Sequence, residues 1–146
     1  MFLVLVIMLL VALSVLIHYE ALNRISKKMP LFPKRTGANI VFGILGAMLA
    51  HFLEIVIFAL GYHLLNKIGH FGALTGAYQG HFGDSLYYSF VVYTSLGFGD
   101  ILPQGALRYL TGVEALTGLV LIAWTASFLY LEMQRFWKNN QDLNQK

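Results

Sequence analysis

Apolar residues fall in three long runs along the chain, and a shorter stretch rich in glycine and aromatics separates the last two. The first run, residues 2–17, holds no charge. It reaches the lower length limit for a membrane-spanning helix if His18 and Tyr19 form its interfacial end. A secretory leader would need a basic segment before the run and a small-x-small cleavage site after it. Nothing basic precedes Phe2, and the run ends in His18-Tyr19-Glu20, so a spanning helix over 1–19 is the better reading. The second run, 38–65, is interrupted only by His51, Glu54 and His63. The third, 107–133, has Glu114 as its only charge between Arg108 and Glu132 near its end. Both are long enough to cross a bilayer with some tilt. The intervening stretch, 66–104, carries only Lys67, Asp84 and Asp100 as charges.

Composition sharpens this picture. Of 146 residues, 58% are hydrophobic and 12% charged. A soluble domain has nearer 25% charged residues, so too few polar groups remain to coat a water-facing surface. The same figures exclude a disordered chain and a nucleic-acid binder. There is no cysteine, hence no disulfide, thiolate metal site or thiol nucleophile. No internal repeat is evident, and no nucleophile–base set or metal-ligand cluster stands out by spacing. The spacings of His63, His70 and His81 match no standard zinc motif. An enzyme is therefore not expected, nor a cofactor.

The ten Lys and Arg residues set an orientation. Arg24, Lys27, Lys28, Lys34 and Arg35 follow the first run, against the single acid Glu20, and Arg135, Lys138 and Lys146 follow the third. Basic residues in short loops stay on the cytoplasmic side. The loop 20–37, with Pro30 and Pro33 to break a helix, is thus expected to be cytoplasmic. So is the tail 134–146. The N-terminus and the segment 66–104 are then outside, in a multi-pass protein of the plasma membrane. The basic loop suits contact with anionic lipid.

Residues 84–103 read DSLYYSFVVYTSLGFGDILP. Asp84 or Ser85 can cap a helix, and the apolar and aromatic residues that follow predict one over 85–94. At about ten residues it is too short to span. Gly97 and Gly99 flank Phe98, so two positions can adopt φ > 0 without a Cβ penalty. A backbone that alternates in handedness turns successive carbonyls to one side, as a ring of oxygens replacing a cation's hydration shell requires. A short re-entrant helix with its partly negative C-terminal end aimed into the membrane also favours a cation.

These residues resemble the pore of tetrameric potassium channels of the single-pore-loop type. The family's filter reads T-x-G-[YF]-G-[DN], and this chain has Ser95-Leu96-Gly97-Phe98-Gly99-Asp100, preceded by Thr94. The resemblance runs from about residue 40 to 137. Ser95 stands where Thr is usual, Leu96 where Val is common and Phe98 where Tyr is common; Val91 stands where many relatives have Glu. The helix over 1–19 has no counterpart in the simplest two-helix channels.

The resemblance implies an all-α homotetrameric membrane protein. Each chain would supply three transmembrane helices, a pore helix and a filter loop. The pore domain would cover 38–133, with outer helix 38–65, pore helix 85–94, filter 95–99 and inner helix 107–133. Potassium would be held by the carbonyls of Ser95, Leu96, Gly97 and Phe98, with the Ser95 hydroxyl at the inner end, and Thr94 and Gly99 complete the filter residues. Asp100 would form an acidic ring at the mouth. Arg108 matches a frequent basic residue at the outer end of the inner helix, and Gly118 falls near the family's hinge glycine. Glu114, one turn before Gly118, is expected to hydrogen-bond the pore helix or filter backbone. His51 and Glu54, three apart, share a helix face and form either a plain buried pair or a protonation-sensitive contact with the N-terminal helix. Tyr87, Tyr88 and Tyr93 are expected to pack and to line the interface. The expected function is passive potassium conduction. The alternatives are a weakly selective or non-selective monovalent cation channel, and a non-conducting membrane adaptor with a pore-like fold.

Overall fold

The computed structural model describes residues 1–28 and 38–144, with side chains placed throughout these except at 136 and 139–144. Four helices and two short strands follow in the order α1 (Phe2–Lys28), α2 (Ala38–Ile68), β1 (Leu74–Gly76), α3 (Phe82–Tyr93), β2 (Ile101–Pro103) and α4 (Leu107–Asn144). Three helices are long and apolar enough to cross a membrane, over Phe2–Lys28, Ala38–Ile68 and Leu107–Arg135. The protein is an all-α membrane protein.

Every helix runs further than the apolar runs alone suggest. Nothing in residues 18–28 breaks a helix, so α1 continues past the expected end at residue 19 and carries Arg24, Lys27 and Lys28 with it. The expected loop 20–37 is therefore helical over its first nine residues. Lys34, Arg35, Pro30, Pro33 and Lys146 lie outside the described residues. The second helix ends at Ile68 rather than 65, and α4 passes the apolar limit at 133 into the polar tail.

One face of α1 is buried: Leu3, Ile7, Leu10, Ser14, His18, Leu22 and Ile25. These recur every third or fourth residue, so they form one stripe along an α-helix. Up to residue 17 most of the remaining positions, including Leu5, Leu9 and Leu16, are apolar and exposed, as a lipid-facing surface requires. The stripe packs on α2, which runs antiparallel to it. A Cβ at Gly61 would sit 2.7 Å from Leu10 Cδ1, and one at Gly46 would sit 2.8 Å from Ile25 Cδ1. Leu10 and Ile25 thus fill two notches that small residues open in α2, the usual device for close helix contact in membranes. His18 lies between the two notches and is fully buried, so it is not the interfacial end of the helix.

The ends of the molecule can be told apart. Phe2 stacks on Phe71 at a 5.7 Å centroid distance, which sets the N-terminus beside the loop after α2. At the other end the Ser26 hydroxyl donates to Glu132 Oε1 at 3.3 Å, which sets the basic end of α1 beside the distal part of α4. A core of Leu3, Ile7, Leu10, Phe58, Tyr62, Leu65, Tyr88, Val92, Leu107 and Leu110 joins α1, α2, α3 and α4 at the first end.

Helix α3 starts at Phe82, earlier than expected, with His81 in the N-cap position. Asp84 caps the helix from inside its first turn. Its Oδ2 accepts from the amides of His81 (3.1 Å) and Gln79 (2.9 Å). At 12 residues the helix is about 18 Å long, well short of a bilayer core. The strands β1 and β2 pair antiparallel, with Leu74 opposite Pro103 and Gly76 opposite Ile101. This hairpin-like pair ties the segment after residue 100 to the loop that leaves α2.

Candidate pore and its supporting contacts

The segment after α3 has an unusual backbone. Thr94 caps the helix in an ordinary right-handed conformation, φ −83°. Ser95, Gly97 and Gly99 then take φ of 58°, 59° and 80°, while Leu96 and Phe98 between them are not in the positive region. Positive φ at alternate positions reverses handedness at every residue from 95 to 99. Glycine makes this conformation accessible at two of the three positions. Ser95 is the only non-glycine with positive φ among the described residues, and its residue type gives no hint of it.

The amides of this segment turn back to the helix. Ser95 N donates to Val92 O at 2.9 Å, and Leu96 N donates to Val91 O at 2.9 Å, using carbonyls that the helix end leaves open. Among the described residues, no protein donor meets the carbonyls of Ser95, Leu96, Gly97, Phe98 or Gly99. Leu96 and Phe98 are 59% and 64% exposed on the single chain. Five unengaged carbonyls therefore lie at the C-terminal, partly negative end of a short, half-buried helix.

Two contacts fix the far end of the segment. The Tyr87 hydroxyl donates to Asp100 Oδ2 at 2.8 Å, and Ala77 N donates to Asp100 O at 2.9 Å. The carboxylate acceptor holds the Tyr87 proton, which raises the hydroxyl's pKa above the ordinary tyrosine value. Tyr88 and Tyr93 are buried packing residues, as expected. All three tyrosines also hydrogen-bond, with Tyr88 bonded to Thr111 at 2.9 Å and Tyr93 bonded to Glu54.

Behind the segment, Glu114 of α4 is fully buried. Its carboxylate meets the Ser89 hydroxyl of α3 at 2.5 Å and the Tyr62 hydroxyl of α2 at 2.6 Å, and Ser89 also lies 2.9 Å from Ile55 O. Glu114 thus bonds the pore helix, joining three helices through one side chain. Gly118 lies one turn on, where α4 passes the end of α3. A Cβ there would come within 2.2 Å of Tyr93 O, so glycine serves close packing at this point. Arg108 is exposed beside Gly105 and Tyr109, and makes no ion pair among the described residues.

A second polar cluster unites residues that are distant in the chain. His18 Nδ1 lies 2.9 Å from Glu54 Oε1, and His51 Nδ1 lies 3.1 Å from Glu54 Oε2. The pairing of His51 with Glu54 is the expected one. The addition of His18 was missed because a polar residue closing an apolar run reads as an interface. The one available signal was that His18 continues the stripe of Leu3, Ile7, Leu10 and Ser14. No metal-ligand cluster stood out by spacing, yet the fold assembles two histidines and a carboxylate here.

Two long helices flanking a short re-entrant helix and an alternating-handed loop define a membrane pore subunit. A family model described as "Ion channel" matches residues 49–135, more than half of the chain, and the chain belongs to that family. Its members have a two-helix, potassium-channel-like pore. No curated protein and no solved structure matches the chain. The match takes in α3, the loop after it and the apolar part of α4; α1 lies outside it.

Proposed function

We propose that the protein is a potassium channel in which four chains surround one axis and contribute the carbonyls of Ser95, Leu96, Gly97 and Phe98 to a selectivity filter. One observation carries the reading: φ is positive at Ser95, Gly97 and Gly99 in turn, next to carbonyls that no protein group engages. Potassium gives up its hydration shell only where several oxygens replace it together. One chain supplies one strand of oxygens, so a cage needs several chains. The exposure of Leu96 and Phe98 on the single chain fits burial against neighbouring copies. Thr94 and the Ser95 hydroxyl stand at the inner end, Gly99 closes the strand, and Asp100 draws cations to the mouth. Glu114, Ser89 and Tyr62 hold the pore helix against the flanking helices. Arg108 sits at the outer rim of α4.

The same reading places the N-terminus outside the plasma membrane and the basic end of α1 inside. Reversal potentials of the purified protein in planar bilayers, with mixed potassium and sodium, test it. A strong preference for potassium is expected. Equal permeability would make the pore a non-selective cation channel, and absence of current would leave a non-conducting adaptor.

A further inference from the structure

We propose that His18, His51 and Glu54 form a binding site for a divalent transition-metal ion of the zinc class, which clamps α1 to the pore. The ligand atoms of the three side chains lie within 4.8 Å of one another. They come from two helices. His18 is on α1, and His51 and Glu54 are one turn apart on α2. Two imidazoles and one carboxylate are a recurrent zinc donor set, and too nitrogen-rich for calcium or magnesium. The edges of the group, 2.9 Å from His18 Nδ1 and 3.1 Å from His51 Nδ1 to the carboxylate oxygens, are already close to the spacing a tetrahedral ion needs. That spacing is about 3.3 Å for ligands about 2.0–2.1 Å from the metal.

The far sides of the rings supply the stronger argument. His18 Nε2 and His51 Nε2 both face one atom, Thr125 Oγ1 of α4, at 3.3 and 3.0 Å. Suppose both rings are neutral and donate from Nδ1 to Glu54. Both Nε2 atoms are then acceptors, and the single hydroxyl proton of Thr125 satisfies one of them. A metal ion on the two Nδ1 atoms removes the conflict. Each ring then carries its proton on Nε2, and two N–H donors meet the two lone pairs of Thr125. Orientation of metal-bound imidazoles by an acceptor behind them is the usual outer arrangement of such sites. The Tyr93 hydroxyl lies 2.9 Å from His51 Nδ1 and bonds to Glu54 Oε2, so it is placed for the fourth position or to hold the carboxylate. Trp124 closes one side, with its ring 5.2 Å from that of His18. The side chains of His18 and Glu54 are fully buried and that of His51 is 17% exposed.

One extra proton on the rings would also balance the network, and the experiment separates the two. His63, His70 and His81 are first replaced together by Gln, which removes other candidate imidazoles outside the cluster. The protein is purified in detergent, stripped with chelator, reloaded with zinc and freed of excess, and metal per chain is measured by mass spectrometry. About one zinc per chain is expected. His18→Gln and His51→Gln are each expected to weaken binding at least tenfold, and Thr125→Val, which keeps every ligand, about tenfold. Cobalt in place of zinc should give the visible absorption of a four-coordinate nitrogen and oxygen site, lost in His51→Gln. Size-exclusion profiles confirm that each variant is folded. A folded parent that retains no zinc at micromolar free metal overturns the proposal in favour of a proton-shared network. So does retention unchanged by both histidine substitutions. The measurement does not use conduction, so it stands or falls separately from the potassium reading.

Discussion

Gly118 of α4 lies against the backbone carbonyl of Tyr93, the last residue of α3, at a point where a Cβ would come within 2.2 Å of the oxygen. Backbone on both sides of this contact leaves no flexible atom to move. Gly118→Ala should therefore push α4 away from the pore helix, at about 1–3 kcal/mol of overpacking per chain. Gly112→Ala meets nothing within 4 Å and is the matched control on the same helix. Thermal unfolding in detergent should show a clear loss for the first and little change for the second.

Gly99 has φ 80° with open space around its Cα, so a methyl group there is opposed by backbone conformation rather than by collision. Gly99→Ala should cost about 1–2 kcal/mol per chain. Potassium selectivity should be lost while membrane insertion is intact, because insertion depends on the long apolar helices. Reversal potentials and membrane fractionation read the two effects separately. Unchanged selectivity would remove this loop as the filter.

Ser89→Ala removes the one hydroxyl proton that Glu114 and Ile55 O share, leaving Glu114 with the Tyr62 hydroxyl alone. Loss of a hydrogen bond to a buried carboxylate costs about 1–3 kcal/mol. The melting temperature should fall accordingly. A double substitution with Glu114→Gln should be less than additive, because the two side chains share one contact.

Tyr87→Phe frees Asp100 from its only side-chain donor among the described residues. The Asp100 side chain is then unheld, with only the backbone pairing to β1 and Ala77 N left, and on the proposed potassium reading the ion preference should drop several-fold with expression unchanged. The raised pKa of Tyr87 means that the proton, and with it the contact, is kept through the ordinary tyrosine range and lost only at still higher pH. Alkaline titration from the Asp100 side should therefore leave the wild-type current steady until past that range.

The native chain lacks cysteine, so single cysteines report orientation cleanly. An impermeant thiol reagent applied to intact cells should label Gln79→Cys and spare Ser26→Cys. The opposite pattern would invert the proposed topology.

The spanning helices and the short α3 were legible because hydropathy in a membrane protein is set by lipid, and lipid contact shows in long uniform runs. The positive φ at Gly97 and Gly99 was legible for a local reason, the missing Cβ. Ser95 adopts the same conformation with no such signature, since its neighbours and the helix carbonyls of Val91 and Val92 impose it. The extension of α1 to Lys28 was hidden by charge, which ends an apolar run without ending a helix. The union of His18 with Glu54 depends on how α1 slides along α2. That register is chosen by Leu10 and Ile25 meeting Gly61 and Gly46, which no single stretch of sequence displays.

The antiparallel pairing of α1 with α2 also bears on how the protein is made. Chains emerge from the N-terminus, so these two helices meet lipid before α3 and α4 exist. A lone Glu54 or His18 would be costly there. Because the two side chains face one another between α1 and α2, Glu54 enters the bilayer on a helix whose neighbour already carries its partner. Tyr93 and Thr125, on α3 and α4, are synthesised later and complete the cluster, so the first two helices hold a polar half-site to which the later helices dock.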